Sequence, residues 1–414
     1  MKTDLSAHSS IKIGILGFGT VGSATEKLIR ENPQLRIRVK SICDPKIKHH
    51  PLLVKNASRI INDPEIDVLV ECIGGVEPAR KYILEAMKED KHVVTTNKEL
   101  VALHMEELGQ ASLYNNVGFM FEGAVGGGIP IISPLRENLK ACNLTEVYGI
   151  VNGTTNYILS KMTDEGMEFS KALKIAKKKG YAEADPKLDI KGYDAAYKAA
   201  ILAAVAFSAK VDFKKVPFEG ISKISQVDIK YASEIGYVIK LLAVAKKSKN
   251  ELEVRVCPIL LPKSHPLASV LGPMNAIYVK GKAVGELMFY GQGAGGGPTA
   301  SAVVADILKI MKKPWAQALE LKNLKIKDLS DTQSRYYIRL TTPDKHGVLA
   351  GISKAFADQK VSIQAVVQKE TVGKSATIVI ITHKTPEKNL RRAVDKIKRL
   401  SVVKQVNNMI RVGL

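Results

Sequence analysis

Residues 180–198, GYAEADPKLDIKGYDAAYK, place several carboxylates directly before one lysine in an alanine-rich run. Asp194 and Lys198 are four residues apart, which puts both on one face of a helix. Because the residues around Lys198 are almost all apolar, we expect a buried helix, in which an unpaired charge costs free energy. A lysine beside Asp194, with Glu183 and Asp189 nearby, is suited to proton transfer while carboxylates bind an ammonium group. The alternative is an ordinary surface ion pair.

A second chemical pattern is GFGTVG at residues 17–22, a GxGxxG motif between a predicted strand and a predicted helix. In such motifs the first glycine allows the turn, the second lets the backbone approach a pyrophosphate, and the third lets helix and strand pack closely. The start of the helix favours an anion. The pattern predicts dinucleotide binding, with a purely structural glycine turn as the alternative. The predicted contacts are Gly17, Gly19, Thr20, Val21 and Gly22.

Asp44 ends the second predicted strand, about 20 residues beyond the glycines, where an acid hydrogen-bonds the adenine ribose and disfavours a 2′-phosphate. This position favours NAD. Lys46 and Lys48 follow at once and suit a phosphate, so NADP stays open. A further alternative is that Asp44 caps a turn before Pro45.

A glycine-rich bend, EGAVGGGIPII at residues 122–132, precedes a helix that we expect to begin near Pro130. Backbone carbonyls in such a bend, with the Glu122 carboxylate, suit a hard cation. The alternative is that the glycines only allow close packing. The later segment NGTTN predicts helix caps at Asn152 and Thr154.

These groups need a scaffold, and five β-branched segments supply its strands. They are IKIGILGF, IRVKSICD, IDVLVECIG, KHVVTTN and VGFMFEG, with helical segments between several of them. Strands that alternate with helices predict a doubly wound α/β sheet, here a Rossmann dinucleotide-binding domain.

The composition limits the function classes. The chain has 414 residues, 45% of them hydrophobic, which predicts a folded protein of several domains. The net charge is +21, but the lysines are scattered among few aromatic residues, so we expect no nucleic-acid binding. No apolar run approaches the roughly 20 residues of a membrane span, and we expect a cytoplasmic protein with no membrane association. The four cysteines are widely separated and predict neither a zinc site nor a disulfide framework.

Six segments together resemble one family across residues 1–310, the homoserine dehydrogenases. In order they are GFGTVG, VVTTNKELVA, EGAVGGGIPII, GIVNGTTNYIL, GYAEADPKLDIKGYDAAYKAAILA and GQGAGGGPTASAVVADI. The resemblance implies NAD- or NADP-linked interconversion of L-aspartate 4-semialdehyde and L-homoserine, on the branch toward threonine and methionine.

The resemblance also implies site residues. Lys98 and Lys198 match the family's two catalytic lysines, with Lys198 as the proton donor to the aldehyde oxygen. Substrate-binding carboxylates are implied at Glu183, Asp189 and Asp194, and Asp194 is also placed with the catalytic group.

The remaining implied contacts concern the cofactor and a structural sodium ion. Thr96, Lys98 and the late Gly295 join the cofactor-binding set. The sodium site is implied at Glu122, Val125, Gly127 and Ile129.

Three positions depart from the family pattern. Thr96 and Gly123 stand where many members have alanine, and both are small changes that leave the roles intact. Asp44 stands where members that use NADP often carry arginine, which puts NADP preference in doubt.

The C-terminal segment, residues 335–414, follows the order βαββαβ, which predicts an antiparallel, ferredoxin-like sheet with two helices on one face. It resembles an ACT domain, above all in DKHGVLAGI, where Gly347 opens the first helix at the place where such domains bind amino acids. Feedback inhibition by threonine is implied. The alternative is a dimerising module that binds no ligand.

We therefore expect three domains: a Rossmann domain (1–130 with about 298–320), an α+β substrate-binding and dimerisation domain (131–297), and an ACT regulatory domain (335–414). A homodimer or homotetramer is expected. Two other functions compete: a sensor of NAD without turnover, and a dehydrogenase of another semialdehyde or oxo acid. Lys98 and Lys198 argue against the sensor, since a sensor needs no proton donor.

Overall fold

A computed structural model of the chain describes residues 10–312, 320–372 and 375–414. The strands in chain order are β1 (Ile11–Leu16), β2 (Ile37–Cys43), β3 (Val68–Glu71), β4 (His92–Thr95), β5 (Phe119–Met120), β6 (Leu144–Ile150), β7 (Tyr237–Ser248), β8 (Glu251–Pro262), β9 (Met274–Gly281), β10 (Gly285–Gln292), β11 (Lys325–Ile326), β12 (Gln333–Pro343), β13 (Ile363–Val372), β14 (Ser375–Thr382), β15 (Thr385–Pro386) and β16 (Gln405–Val412). The α-helices are α1 (Thr20–Arg30), α2 (Ser58–Ile61), α3 (Ala79–Lys88), α4 (Lys98–Tyr114), α5 (Ile132–Arg136), α6 (Gly153–Glu165), α7 (Phe169–Lys178), α8 (Lys187–Ile190), α9 (Tyr193–Phe207), α10 (Gln226–Glu234), α11 (Gly296–Met311), α12 (Val348–Ala357) and α13 (Glu387–Ile397).

The chain divides into two compact units. Unit 1 takes the described residues of Met1–Val151, Ala196–Val216 and Met274–Leu324, and unit 2 takes those of Asn152–Ala195, Pro217–Pro273 and Lys325–Leu414. This division by compactness differs from the three domains expected above, whose boundaries stay predictions. The ends of the expected first domain, at residues 1–9 and 313–319, lie outside the described residues.

Unit 1 contains a parallel five-stranded sheet in the order β2-β1-β3-β4-β5. Its inner strands β3 and β4 are buried at every position, as expected for a parallel sheet that is covered on both faces. Helix α11 returns late in the chain and packs Val303 and Ile307 into the same core as Ile13 and Val70. The strand order reverses between β1 and β3, where doubly wound sheets bind ligands at the carboxyl ends of their strands. The predicted doubly wound sheet is confirmed.

Unit 1 also holds a small antiparallel group, β10-β9-β6. The expected helix after the glycine-rich bend is α5, which begins at Ile132 rather than near Pro130.

Unit 2 contains the long hairpin β7–β8 and the C-terminal βαββαβ unit. The C-terminal sheet has the order β16-β12-β14-β13, with antiparallel neighbours throughout, and β8 pairs with β16 in parallel. Alternation along β12 gives it two different faces. Tyr336, Ile338 and Leu340 pack under α12 and α13, while Arg339 on the opposite face contacts Asp228 of α10. The predicted ferredoxin-like order is confirmed.

Among the residues that the structure describes, none of the helices is both long enough and apolar enough to span a bilayer.

Candidate active site

The glycine motif lies at the switch point of the parallel sheet. Gly17 has a φ of +89°, and a Cβ there would lie 2.7 Å from the backbone carbonyl of Cys72. A Cβ on Gly22 would lie 2.1 Å from the Gly17 carbonyl oxygen, whereas one on Gly19 would meet nothing within 4 Å. The first and third glycines are therefore required by packing. The open space at Gly19, beside the exposed start of α1 at Thr20, is where a ligand can approach the backbone.

The Asp44 carboxylate bridges the end of β2 and the glycine loop. Its oxygens accept the backbone N–H groups of Phe18 at 2.7 Å and Lys46 at 2.8 Å. The bond from Lys46 is the turn cap that the sequence left open as an alternative. A carboxylate has about four acceptor sites, so these bonds leave capacity for a ribose hydroxyl. The ribose contact stays a prediction.

Glu71, which sequence reasoning missed, ends β3 beside the glycine loop. Its fully buried carboxylate accepts the Thr95 hydroxyl at 2.5 Å and the backbone N–H groups of Ile73 at 2.7 Å and Gly74 at 3.3 Å. Burial raises the pKa of the Glu71 carboxyl above its ordinary range. The carboxyl therefore ties the ends of β3 and β4 together. The sequence does contain a signal for Glu71: it is the one charged residue at the end of the otherwise apolar strand VLVE.

The next residues fix the position of Lys98. Asn97 caps α4 by accepting the N–H of Leu100 at 3.1 Å, and its amide donates to the Gly75 carbonyl at 2.5 Å. Lys98 is the first residue of α4 and is half-buried. Its backbone is thus held at the carboxyl edge of the sheet by a capped helix end.

A hydrogen bond joins the helices that carry the two predicted catalytic lysines. The Tyr197 hydroxyl donates to Glu99 at 3.0 Å, and the Tyr197 ring stacks on Phe213 with centroids 4.5 Å apart. Glu99 is the chain neighbour of Lys98, and Tyr197 is the chain neighbour of Lys198. Helices α4 and α9 are therefore linked one residue away from each lysine.

Lys198 is buried, with a relative exposure of 8%, on the apolar helix α9. Its Nζ donates to the backbone carbonyl of Val151 at 2.7 Å. The carbonyl accepts one N–H of the ammonium group and so fixes its position just beyond the end of β6.

The predicted substrate carboxylates lie in unit 2, around Asn152. The Asn152 amide donates to Asp189 at 2.7 Å and to Asp194 at 2.8 Å, and its oxygen caps α6 by accepting the Thr155 N–H at 2.9 Å. One amide group therefore holds the two carboxylates close together. Two adjacent carboxylates suit an ammonium ligand. Glu183 lies exposed in the loop before α8, outside this hydrogen-bonded group.

The cap expected at Asn152 is present, but the one expected at Thr154 is wrong. The Thr154 hydroxyl donates to the Tyr181 carbonyl at 2.5 Å, because Thr154 already lies inside the first turn of α6.

The Glu122 side chain is committed to the backbone. Its carboxylate accepts the N–H groups of residues 131, 132 and 133 at 2.6, 2.7 and 2.8 Å. Its own N–H donates at 2.8 Å to Asp306, whose pKa is raised to about 8 by burial and by the Glu122 charge. Within the bend, no backbone N–H of the described residues donates to the carbonyls of Val125, Gly127 or Ile129. A cation here would be held by backbone carbonyls, as hard cations accept.

Thr96 and Gly123, two of the departures from the family pattern, are in contact. A Cβ on Gly123 would lie 2.8 Å from the Thr96 methyl carbon and 3.4 Å from that of Thr299. The Thr96 methyl group therefore fills the space that an alanine at position 123 would occupy. The larger side chain at position 96 and the smaller one at position 123 therefore compensate for each other in volume.

Gly295 caps the start of α11 with a φ of +115°. A Cβ on the adjacent Gly296 would lie 2.9 Å from the Thr20 carbonyl oxygen. The late glycines therefore lie against the start of α1, next to the glycine motif.

In the C-terminal sheet, Gly347 precedes α12 with a φ of +80°. A cavity of about 170 Å³ lies beside it, lined among others by Asp344, Val348, Gln368 and Ile378. Its size suits one small amino acid.

Comparisons with known proteins agree with this geometry. Residues 17–122 match the family model described as the homoserine dehydrogenase NAD binding domain, residues 130–308 match the homoserine dehydrogenase model, and residues 336–402 match the ACT domain. A homoserine dehydrogenase of Synechocystis is 40% identical over 430 residues, covering 97% of this chain and 99% of the relative.

Solved structures are also similar. The crystal structure of a homoserine dehydrogenase from Thiobacillus denitrificans has a TM-score of 0.92 at 42% identity, covering 97% of this chain and 98% of that one. A hyperthermophilic archaeal homoserine dehydrogenase in complex with NADPH has a TM-score of 0.65 at 31% identity, covering 74% of this chain and 99% of that one. From the nucleotide-binding glycines, the buried lysine and these similarities, the chain belongs to the homoserine dehydrogenase family of oxidoreductases and carries a C-terminal ACT domain.

Proposed function

We propose that the protein interconverts L-aspartate 4-semialdehyde and L-homoserine with a nicotinamide dinucleotide, on the route to threonine and methionine. The observation that carries the proposal is the buried ammonium group of Lys198, fixed by the Val151 carbonyl on an apolar helix. Asn152 follows Val151 directly in the chain and orients Asp189 and Asp194. A proton donor and a pair of carboxylates for an amino group are what this amino aldehyde requires.

The roles of the side chains follow from their chemistry. Asp189 and Asp194, with Glu183 from its loop, bind the substrate ammonium group and orient the aldehyde carbon. Lys198 donates a proton to the aldehyde oxygen in reduction and takes it back in oxidation, which stabilises the developing alkoxide. Lys98, at the start of α4, binds the substrate and the cofactor at the sheet edge. The nicotinamide, when bound, supplies the hydride chemistry.

For the cofactor, we propose a preference for NAD over NADP. The carboxylate of Asp44 at the end of β2 repels a 2′-phosphate and can accept a ribose hydroxyl. The glycines 17, 19 and 22, with Thr20, Val21, Thr96 and Gly295, form the remaining cradle. The NADPH complex of the archaeal relative supports a nicotinamide dinucleotide of either kind.

We also propose a structural sodium ion in the bend 122–129. The carbonyl oxygens of Val125, Gly127 and Ile129, which no described backbone N–H occupies, are its expected ligands together with Glu122. Because the Glu122 carboxylate is held by three N–H groups, its carbonyl is the expected ligand: it accepts the Val125 N–H at 3.4 Å and has a second lone pair for the ion.

For the ACT domain, we propose binding of threonine in the cavity beside Gly347, with feedback inhibition as its result. Two observations support a small amino-acid ligand: the cavity volume of about 170 Å³ and the left-handed backbone conformation of Gly347 at the start of α12. A homodimer or homotetramer is the proposed assembly.

The test is the initial rate of homoserine oxidation with NAD and NADP in turn, with and without threonine. Lys198→Met is expected to lower kcat by about 10²- to 10⁴-fold while cofactor affinity stays near wild type. Lys171→Met, on the exposed face of α7, is the matched control and keeps wild-type kcat. Near-normal turnover of Lys198→Met would remove that lysine from catalysis.

The same assay separates the competing functions. Nucleotide binding without turnover of homoserine would favour the sensor. Turnover of glutamate 5-semialdehyde in preference to aspartate 4-semialdehyde would favour a dehydrogenase of another substrate.

A further inference from the structure

A cavity of about 520 Å³ opens in unit 2 where strands β8 and β16 diverge. These parallel strands pair only at Arg411 with Ile259 and at Val412 with Leu260. Before that point the two strands do not pair with each other: the segment 217–219 bonds to Val256 of β8, and residues of this segment, of both strands and of α13 line the cavity. Asn407 lies in a β-bulge of β16 opposite β12 and also lines the cavity. Bulges of this kind often redirect side chains beside functional sites.

Two buried arginines line this cavity, and each has a hydrogen-bond donor without an acceptor among the described residues. Arg255 has a relative exposure of 4% and Arg411 one of 6%. Among the described residues, the Nε–H of each has no hydrogen-bond partner, although Arg255 forms an ion pair with Glu253 and Arg411 one with Glu387. A buried donor left unsatisfied costs free energy, so two such donors in the wall of one cavity favour an acceptor that reaches this wall.

The net charge of the residues around the cavity also favours binding of an anion. The fully buried Glu387 carboxylate is shared by two guanidinium groups, those of Arg411 and Arg391. The other lining cations each have a carboxylate of their own: Lys223 pairs with Glu219 at 3.9 Å, and Lys398 pairs with Asp395 at 3.3 Å. Because one carboxylate serves two cations, the cavity carries one excess positive charge.

We propose that this cavity binds a small oxyanion ligand through one carboxylate or phosphate group, held by Arg255 and Arg411 with Asn407 as a polar partner. The guanidinium fork matches the geometry of both groups. The site has no lining residue in common with the cavity beside Gly347. It also does not depend on the proposed function, because its occupation needs neither substrate nor cofactor.

The experiment is isothermal titration of the full chain with inorganic phosphate and, separately, with succinate, each against chloride at equal ionic strength. We expect saturable binding of at least one of them, one per chain. Arg255→Gln is expected to raise the Kd about tenfold or more, since it removes a charge-assisted donor. Asn407→Asp is expected to raise the Kd as well, because it adds a negative charge to the lining and keeps the acceptor for the Thr341 hydroxyl.

The control is Arg392→Gln, which removes an equal charge from an exposed position of α13 outside the lining. It should change the Kd by less than about twofold. Binding of phosphate alone or of succinate alone would identify the ligand group. Binding of neither, or equal weakening by the control, would overturn the proposal. If Arg255→Gln fails to fold, the Asn407→Asp titration decides alone.

Discussion

The contact between Gly123 and Thr96 makes a sharp prediction about stability. Replacing Gly123 by alanine puts a Cβ at 2.8 Å from the Thr96 methyl carbon, with the Thr299 methyl carbon at 3.4 Å on another side. Carbon atoms in contact prefer about 3.5–4.0 Å, so the overlap with Thr96 is roughly 1 Å. The threonine side chain cannot move aside easily, because a β-branched residue is stiff at χ1. Gly123→Ala alone is therefore expected to be destabilising.

The magnitude follows from known costs of overpacking. Gly123→Ala should cost about 1–3 kcal/mol. Thr96→Ser alone removes one methyl group from a half-buried position, keeps the hydroxyl, and should cost at most about 0.8 kcal/mol. In the double variant the overlap is absent, so we expect a favourable coupling of about 1–2 kcal/mol between the two substitutions. The double variant should then be more stable than Gly123→Ala.

The assay is thermal unfolding of the four proteins without ligand, under one buffer and one scan rate. For a domain of 150–250 residues, about 1 kcal/mol corresponds to roughly 2–4 °C in Tm. Gly123→Ala should lower Tm by several degrees, and adding Thr96→Ser should restore most of the loss. Additive effects, or a Gly123→Ala variant as stable as wild type, would refute the packing argument.

Three further predictions concern single residues. Burial lowers the pKa of Lys240 from 10.5 to about 8. Between these two pH values the folded state binds fewer protons than the unfolded state. The wild type therefore gains stability as the pH rises from about 8 to 10.5. The Tm of Lys240→Met minus the Tm of wild type should therefore fall from pH 8 to pH 10, and a constant difference would contradict the shift. Asp44→Ala should raise the KM for NAD more than that for NADP in initial-rate assays, whereas equal changes would show that the carboxylate serves only the glycine loop. Tyr197→Phe removes the bond to Glu99 and should lower kcat severalfold with little change in Tm; unchanged kcat would show that this link does not position the lysines.

Local patterns in the sequence were enough for the fold and for the glycine cradle. Each of these depends on residues close together in the chain, as in GFGTVG or in the alternation of β12. The bond between Tyr197 and Glu99 joins residues 98 positions apart, and nothing local marks either as a partner. Glu71 and Asn152 were likewise visible only as a strand end and a helix cap. Their second roles, binding Thr95 and orienting Asp194, depend on which loops the sheet brings together.

The pairing of β8 with β16 has a consequence for how the proposed inhibition through the ACT domain can be lost over evolution. Removing the ACT domain would take β16 away from the edge of β8 that faces away from β7, and would take Arg339 away from Asp228, whose carboxylate has no exposed surface. Asp228 would lose its charge-assisted bonds to Arg339, and a bare strand edge invites aggregation. Loss of the proposed threonine inhibition is therefore expected to arise by point substitutions around the cavity beside Gly347. Clean loss of the domain would require simultaneous repair of the surface left behind.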